Sequence, residues 1–476
     1  MLALIELFHE LLAFVLNCLV EIPVAYQNKM SAGRSIVGQG IFPSFLDSEN
    51  STLTSNHDHN KITPQDRGFH DWYRFVLSFP PHLVREYVSR WGINDDQLVL
   101  DPFCGTGTTV VECKKMGVPS IGVEANPFAH FASMTKLNWQ PKPVELLHNA
   151  EAIAIGANAE ANSSKKTGPL RALSETSEKL LISGSISPLP LHRLLILRDC
   201  IDRMGEGSPF IDHYRLALAR IAVAPSSNLK FGPEVGVGAP KDDAPVVDAW
   251  LNAIREMAHD LQSFHNSPRP PASVLLGDAR QIQTYIEPRS ISAVFTSPPY
   301  PNEKDYSRTT RLEMTLLGFA TAKPELQAIK RTLLRSNTRN VYKGDTDDQW
   351  VENNQAIQDL AIEIERRRIA LNKTSGFEKL YAKVTKLYFG GMAKHLADLR
   401  PLLKPGAYLG YVVGDQASYL QVKIRTGELL AEIAMQLGYE VINLDLFRTR
   451  LATATREMLR EEVLVLRWPL SEGNLA

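Results

Sequence analysis

The segment TSPPYPNEKDY, residues 296–306, follows the apolar run ISAVF and holds the residue types best suited to chemistry. Its two adjacent prolines remove backbone donors and stiffen the chain. The residue before a proline is held extended. The result is a rigid, open loop. It can turn backbone carbonyls, the Ser297 hydroxyl and the Tyr300 ring toward a ligand.

A second group lies upstream. DPFCGTGTT (101–109) follows the short apolar run QLVL and opens a helical pattern, the context in which a glycine loop merits a functional reading. Gly105 and Gly107 permit a tight turn and close approach of a ligand to the backbone. Ligands of open α/β sheets bind at the carboxyl ends of strands. Thr109-Val110 stands where a dinucleotide loop has its third glycine, which disfavours a pyrophosphate. Glu124 ends the next strand, where an acid accepts hydrogen bonds from ribose hydroxyls. Asp278, in LLGDA, is placed to accept from an exocyclic amine. Each feature alone has a plain structural explanation: a tight turn, or a strand-terminal acid that caps a helix. Together, in this order and on strand ends, they favour a ligand site.

The elements that must position these residues alternate. Strand patterns occur at 97–100, 120–124, 272–279, 291–297 and 461–468, with helix-then-strand units at 388–415 and 427–447. Such alternation predicts an α/β fold: a doubly wound, mostly parallel, Rossmann-like sheet with two large, mainly helical insertions. The boundaries are an apolar helix and loop at 1–68, a cofactor-binding half at 69–140, a helical insertion at 141–270, a catalytic part at 271–306, a basic helical insertion at 307–387, and the last part of the sheet at 388–476.

With 476 residues, 44% hydrophobic, 22% charged and a net charge of −1, the chain reads as ordinary globular protein. Any polyanion-binding surface must be local. The four cysteines form no CxxC pair, so neither a metal site nor a disulfide framework is expected, and a reduced cytoplasmic setting is. The apolar N-terminus carries Glu6, Glu10 and Glu21 but no Lys or Arg before Lys29. Leu4, Ile5, Phe8, Leu11, Leu12, Val15 and Leu19 form a helical stripe. It reads as a docked or partner-binding helix; a membrane anchor, and a true start at Met30, are the alternatives. No stable membrane partner is expected.

DPFCGTGTT, GVEANP, GDA and TSPPY in this order resemble the amino-methylating DNA methyltransferases that use S-adenosylmethionine and modify cytosine N4 or adenine N6. The resemblance spans 69–124, 272–300 and 388–468. It implies that Asp101 holds the methionine ammonium of S-adenosyl-L-methionine, that Phe103, Gly105, Gly107 and Thr108 line the cofactor, that Glu124 binds the ribose, and that Asp278 takes the adenine amine. Ser297, Pro298, Pro299 and Tyr300 would be the catalytic motif. Its serine form, TSPPY above all, is more typical of cytosine-N4 enzymes, and its aspartate form of adenine-N6 enzymes. The resemblance also implies double-stranded DNA as substrate, a nucleoid-associated site of action, and leaves room for a cognate restriction endonuclease.

The chemistry is coherent with the residues. A base amine is a poor nucleophile because its lone pair is delocalised into the ring. The Ser297 hydroxyl and the Pro298 carbonyl are placed to accept its two protons, and Tyr300 to stack on a base that has left the duplex. Such catalysis is positioning plus electrostatics. It needs no cysteine, and Cys104 reads as packing. For DNA backbone contact the candidates are Lys323, Lys330, Arg331, Arg335, Arg339 and Lys343 in the stripe 323–343, a solvated helix face being the plain alternative. The loop SSNLKFGPEVGVG (226–238), with Asn228, Lys230 and Phe231, is a candidate to close over the site. A helical block separates Glu124 from Asp278, splitting the cofactor half, so either insertion could carry target recognition. Adenine-N6 methylation is the nearest alternative. RNA-base methylation lacks a recognisable RNA-binding module, and intact Gly105, Gly107, Ser297 and Tyr300 oppose a non-catalytic relative. A nicotinamide-dependent dehydrogenase is disfavoured by the missing glycine and by SPPY.

Overall fold

Seven strands form one sheet in the order β5-β2-β1-β6-β7-β9-β8. In chain order the strands are β1 (Val99–Asp101), β2 (Ser120–Glu124), β3 (Leu229–Phe231), β4 (Val235–Val237), β5 (Ala272–Leu276), β6 (Ile291–Thr296), β7 (Leu403–Gly414), β8 (Glu440–Leu451) and β9 (Met458–Arg467). β3 and β4 make a separate antiparallel hairpin. This is a computed structural model. It describes residues 66–470, apart from 76, 233–234, 303 and 453–455, and it leaves the side chains of 164–167 aside. The N-terminal apolar stripe therefore lies outside the described residues. Those described belong to the compact unit Ser55–Ala476.

β5, β2, β1, β6 and β7 run parallel. β9 lies antiparallel between β7 and β8. The expected mostly parallel, doubly wound sheet is present. Every residue of β6, ISAVFT, is buried, as a central strand covered by helices on both faces requires. β1 pairs with β2 on one side and β6 on the other. Chain direction across the sheet reverses there, which opens a crevice at the carboxyl ends of β1 and β6.

Local chemistry explains the helices that flank this crevice. Thr108–Lys115 starts directly after Gly107, whose φ of +90° suits glycine. Pro127–Leu137 is capped by Asn126, whose side chain accepts from the Phe128 and Ala129 N–H groups. Pro81–Arg90 begins with proline at its first position. Ahead of it lies the short turn Gly68–Trp72. Lys404-Pro405-Gly406 lies within β7. The pairing slips there between Ile291 and Ala293, and Gly406 takes a φ of +81°, the signature of a bulge.

The first insertion is helical: Pro143–Thr167, Pro188–Gly205, Ile211–Ile221 and Val246–Ser263, with the β3–β4 hairpin between the last two. The second is less helical than its charge pattern predicts. Lys323–Thr332 and Gln355–Ala370 are α-helices, but 333–354 holds only short turns. Ser336, Asn337, Thr338 and Asn340 lie there, and such side chains bond to nearby backbone and compete with the helix. Tyr381–Leu399 then packs beneath the sheet with Tyr388, Phe389, Met392 and Leu396 buried.

Candidate active site

The crevice gathers the motif residues. Asp101 ends β1 and is 1% exposed. Its Oδ1 accepts from the Thr296 hydroxyl at 2.6 Å and from the Phe103 N–H at 3.1 Å. Thr296, the last residue of β6, thus clips the two strand ends together across the switch point. Asp101 Oδ2 is buried with no hydrogen-bond partner among the described residues. Burial pushes the Asp101 carboxyl up to about 6. Glu124, at the end of β2, accepts from the Gly105 N–H and the Asn126 N–H, both at 2.7 Å. Burial, which outweighs these bonds, pushes it up to about 7. The glycine loop, Asp101 and Glu124 are therefore one bonded unit.

The two loop glycines do different things. A Cβ on Gly107 would lie 3.0 Å from the Ser133 Cβ, whereas one on Gly105 would meet nothing within 4 Å. Gly107 lets the loop pack on its neighbouring helix, and Gly105 leaves open space beside the backbone. Thr108, buried at 6% exposure, begins that helix. Phe103 sets its ring edge-on to His395 at 4.9 Å between centroids. Cys104 packs against Gly122, where a Cβ would overlap its Sγ. Burial raises its thiol pKa, so Cys104 is a packing residue with no reactive thiolate.

The Ser-Pro-Pro-Tyr loop leaves β6 beside the end of β7. The Ser297 hydroxyl donates to the Val412 carbonyl at 3.1 Å. Tyr300 lies against Gly414, where a Cβ would sit 3.2 Å from its ring. Its phenol is raised by burial first, then by Glu461 and Tyr306, so it stays neutral. Asn302 N–H donates to the Ser336 carbonyl at 3.1 Å, and Asn337 Nδ2 to the Lys304 carbonyl at 3.2 Å. The Tyr419 hydroxyl donates to the same Ser336 carbonyl at 3.0 Å. The buried segment 336–340 therefore braces the catalytic loop.

Asp278 follows β5. Its carboxylate accepts from the Arg280 N–H at 2.9 Å, from Arg280 Nε at 3.0 Å and from Nη2 at 2.6 Å. Nε also reaches the second oxygen at 3.2 Å, so these contacts match the roughly four acceptor sites of a carboxylate, and a further donor would share an oxygen with the Arg280 fork.

The DNA-contact candidates divide. Arg335 is 4% exposed; its guanidinium grips both oxygens of Asp345 and the carbonyls of Lys330, Arg331 and Leu333. Lys330 donates to Asp305 at 3.0 Å and to the Arg339 carbonyl at 3.2 Å. These two cations hold the insertion together, and the expectation of a phosphate contact from Arg335 is corrected by its burial. Arg331 is exposed and stacks 4.6 Å over Tyr342. Arg339 lies 5.6 Å over Phe377, and Lys230 is exposed on β3. Asn228 does not face a ligand: it bonds the Gly184 carbonyl, Ser187 and the Lys241 N–H.

Sequence reasoning missed Thr296, Asn126, Arg280 and the bracing segment 336–340. Asn126-Pro127 before an apolar run is a capping signal and was readable. It also missed Arg448 and Arg450 in FRTR, which pair with Glu461 beside Tyr300.

Residues 27–134 match the N6- and N4-acting family described as DNA methylase. The chain is 24% identical over 436 residues to the Type II methyltransferase M.BsoBI of Geobacillus stearothermophilus, covering 83% of each. It is 21% identical over 444 residues to the Type II methyltransferase M.AvaI of Nostoc sp., covering 86% of this chain and 88% of that one. These matches make the chain similar to the amino DNA methyltransferases. A shorter likeness, 38% over 68 residues, joins it to the Type II methyltransferase M.MjaII of Methanocaldococcus jannaschii. The cofactor of an amino DNA methyltransferase is S-adenosylmethionine, and the crevice fits it. A buried carboxylate oxygen on Asp101 lacks a donor, the side of Gly105 is open, and Glu124 lies beside both.

Proposed function

We propose that the protein methylates the exocyclic N4 of a cytosine flipped out of double-stranded DNA. The serine form of the motif, Ser297-Pro298-Pro299-Tyr300, carries the choice of cytosine, and one observation supports amine methylation. Ser297 sits at the end of β6 next to the Asp101–Thr296 clip, and its own proton is directed to the Val412 carbonyl. With its proton engaged, the Ser297 oxygen can act toward a base amine only as an acceptor.

Asp101, Phe103, Gly105, Gly107, Thr108, Glu124 and Asp278 would hold S-adenosylmethionine, with Asp101 on the ammonium, Glu124 on the ribose and Asp278 on the adenine amine. The bound cofactor supplies an electrophilic sulfonium methyl group. Ser297 Oγ and the Pro298 carbonyl accept hydrogen bonds from the two amine N–H groups, which localises the nitrogen lone pair and aims it. Pro298 and Pro299 keep that geometry stiff, and Tyr300 stacks on the extruded base. Arg331, Arg339 and Lys230 are the proposed phosphate contacts; Lys330 is mainly a brace. The similarity to Type II methyltransferases supports a restriction-modification setting, with an endonuclease of the same specificity as partner and the cytoplasm as location.

The test is nucleoside mass spectrometry of host DNA with and without the expressed protein. Gain of N4-methylcytosine supports the proposal. Gain of N6-methyladenine keeps the site and overturns the base assignment, while gain of neither overturns the DNA substrate.

A further inference from the structure

Arg280 is a buried cation whose donors all find acceptors on different parts of the chain. It is 8% exposed. Its Nε and Nη2 grip Asp278, its Nη1 donates to Asp347 Oδ2 at 2.6 Å, and Nη2 also reaches the Arg331 and Thr332 carbonyls at 3.3 and 3.4 Å. Asp347 and both carbonyls belong to the second insertion, and Asp278 to the sheet. The approach of Asp347 is built in. Gly390 and Gly391 face it from the helix Tyr381–Leu399, and a Cβ on Gly390 would overlap the Asp347 carbonyl. The same helix supports the other side of the pocket, where His395 Nδ1 meets the Ala279 carbonyl at 2.9 Å and its ring meets Phe103.

We propose that Arg280 is a positioning residue for the adenine subsite, and that Asp347 of the second insertion is the anchor that sets it. The proposal rests on Asp278 being the acceptor for the adenine amine. A carboxylate on a short turn has several rotamers. A bidentate guanidinium fork selects one of them, and Asp347 fixes the fork from the far side. Seating of the insertion then governs how well the cofactor is held, although Asp347 itself touches no cofactor.

The experiment compares two ligands: S-adenosylmethionine, and its analogue with hydrogen in place of the adenine 6-amino group. Dissociation constants are measured for the wild type, Asp278→Asn, Asp347→Asn and the double variant. Asp347→Asn should weaken the normal cofactor about 5- to 20-fold and the analogue less than about twofold. Its loss should fall on KM for the cofactor and not on kcat. The double variant should be no worse than Asp278→Asn, as expected of residues acting through one group. If Asp278→Asn distinguishes the ligands but Asp347→Asn binds both like wild type, the anchor role is wrong and the adenine subsite stands. If Asp347→Asn weakens both ligands equally, its role is structural only, which also overturns the proposal. If Asp278→Asn itself treats the ligands alike, the subsite reading fails and the inference with it. Should Asp347→Asn not fold, Arg280→Lys is the substitute, because lysine keeps the charge and loses the fork. It is expected to give the same selective loss, and an equal effect on both ligands overturns the proposal.

Discussion

Two side chains in the crevice divide the labour that the proposal requires. Ser297 and Tyr300 are the residues proposed to meet the base, and neither belongs to the bonded unit of Asp101, Thr296, the glycine loop and Glu124. Ser297→Ala and Tyr300→Ala should therefore each cut single-turnover methyl transfer by about 100-fold or more, while the cofactor dissociation constant changes by less than about threefold. Full activity in either variant would sink the roles given to them. The pH dependence of cofactor binding also belongs to this scale. Burial holds the unliganded Asp101 and Glu124 carboxyls at about 6 and about 7. A cationic ligand needs Asp101 ionised, so binding should weaken as pH falls through 7 to below 6. Binding near pH 6 should release protons, read as an enthalpy that varies with buffer in calorimetry. Both folded pKa values are raised above the ordinary 3.8 and 4.5. These groups therefore favour the unliganded fold at acid pH, and that contribution is lost as pH rises from about 4 to about 7.

At the scale of elements, the glycine loop and the second insertion are the parts most open to test. Gly107 combines a φ of +90° with a Cβ position 3.0 Å from Ser133. Gly107→Val should push the loop off its helix, abolish cofactor binding and cost about 1–3 kcal/mol in the backbone alone, read by calorimetry and thermal melting. In the insertion, the buried Arg335 pairs with the half-buried Asp345. Asp345 keeps the Tyr342 N–H at 2.7 Å, so Arg335→Ala, which also strips donors from three carbonyls, should lower stability by about 2–3 kcal/mol, while the salt dependence of DNA binding stays unchanged. Arg331→Ala should do the reverse: little change in melting, and a shallower salt dependence by about one phosphate contact. A gel-shift titration across ionic strength distinguishes the two.

For the whole molecule, the first insertion is no detachable module. One hydrophobic core joins Val110, Val111, Phe128 and Ala132 of the cofactor half to Leu146, Leu194, Tyr214 and Trp250 of the insertion. Trp250 is fully buried, and its indole N–H donates to the Tyr214 carbonyl at 3.0 Å. Trp250→Ala should cost about 3–5 kcal/mol and lower the melting of the cofactor half and the insertion in a single transition. Separate transitions, followed by cofactor-pocket and insertion probes, would show two independent domains instead.

Much of the candidate site was legible without coordinates, because its parts act over a few residues. Glycine at positive φ, proline before an aromatic residue, and an acid closing a strand each impose a local geometry that the residue type alone carries. The strand–helix alternation around them similarly defined a parallel sheet, and with it the crevice. What the sequence could not decide is which distant groups meet. Thr296 reaches Asp101 only because β6 lies beside β1. Arg280 finds Asp347 only because Gly390 and Gly391 admit a loop against their helix. Lys330 and Arg335 read as free cations until Asp305 and Asp345 fold against them. Charge acts at short range through whatever is adjacent in space, and adjacency is set by strand order and packing, which only the tertiary structure supplies.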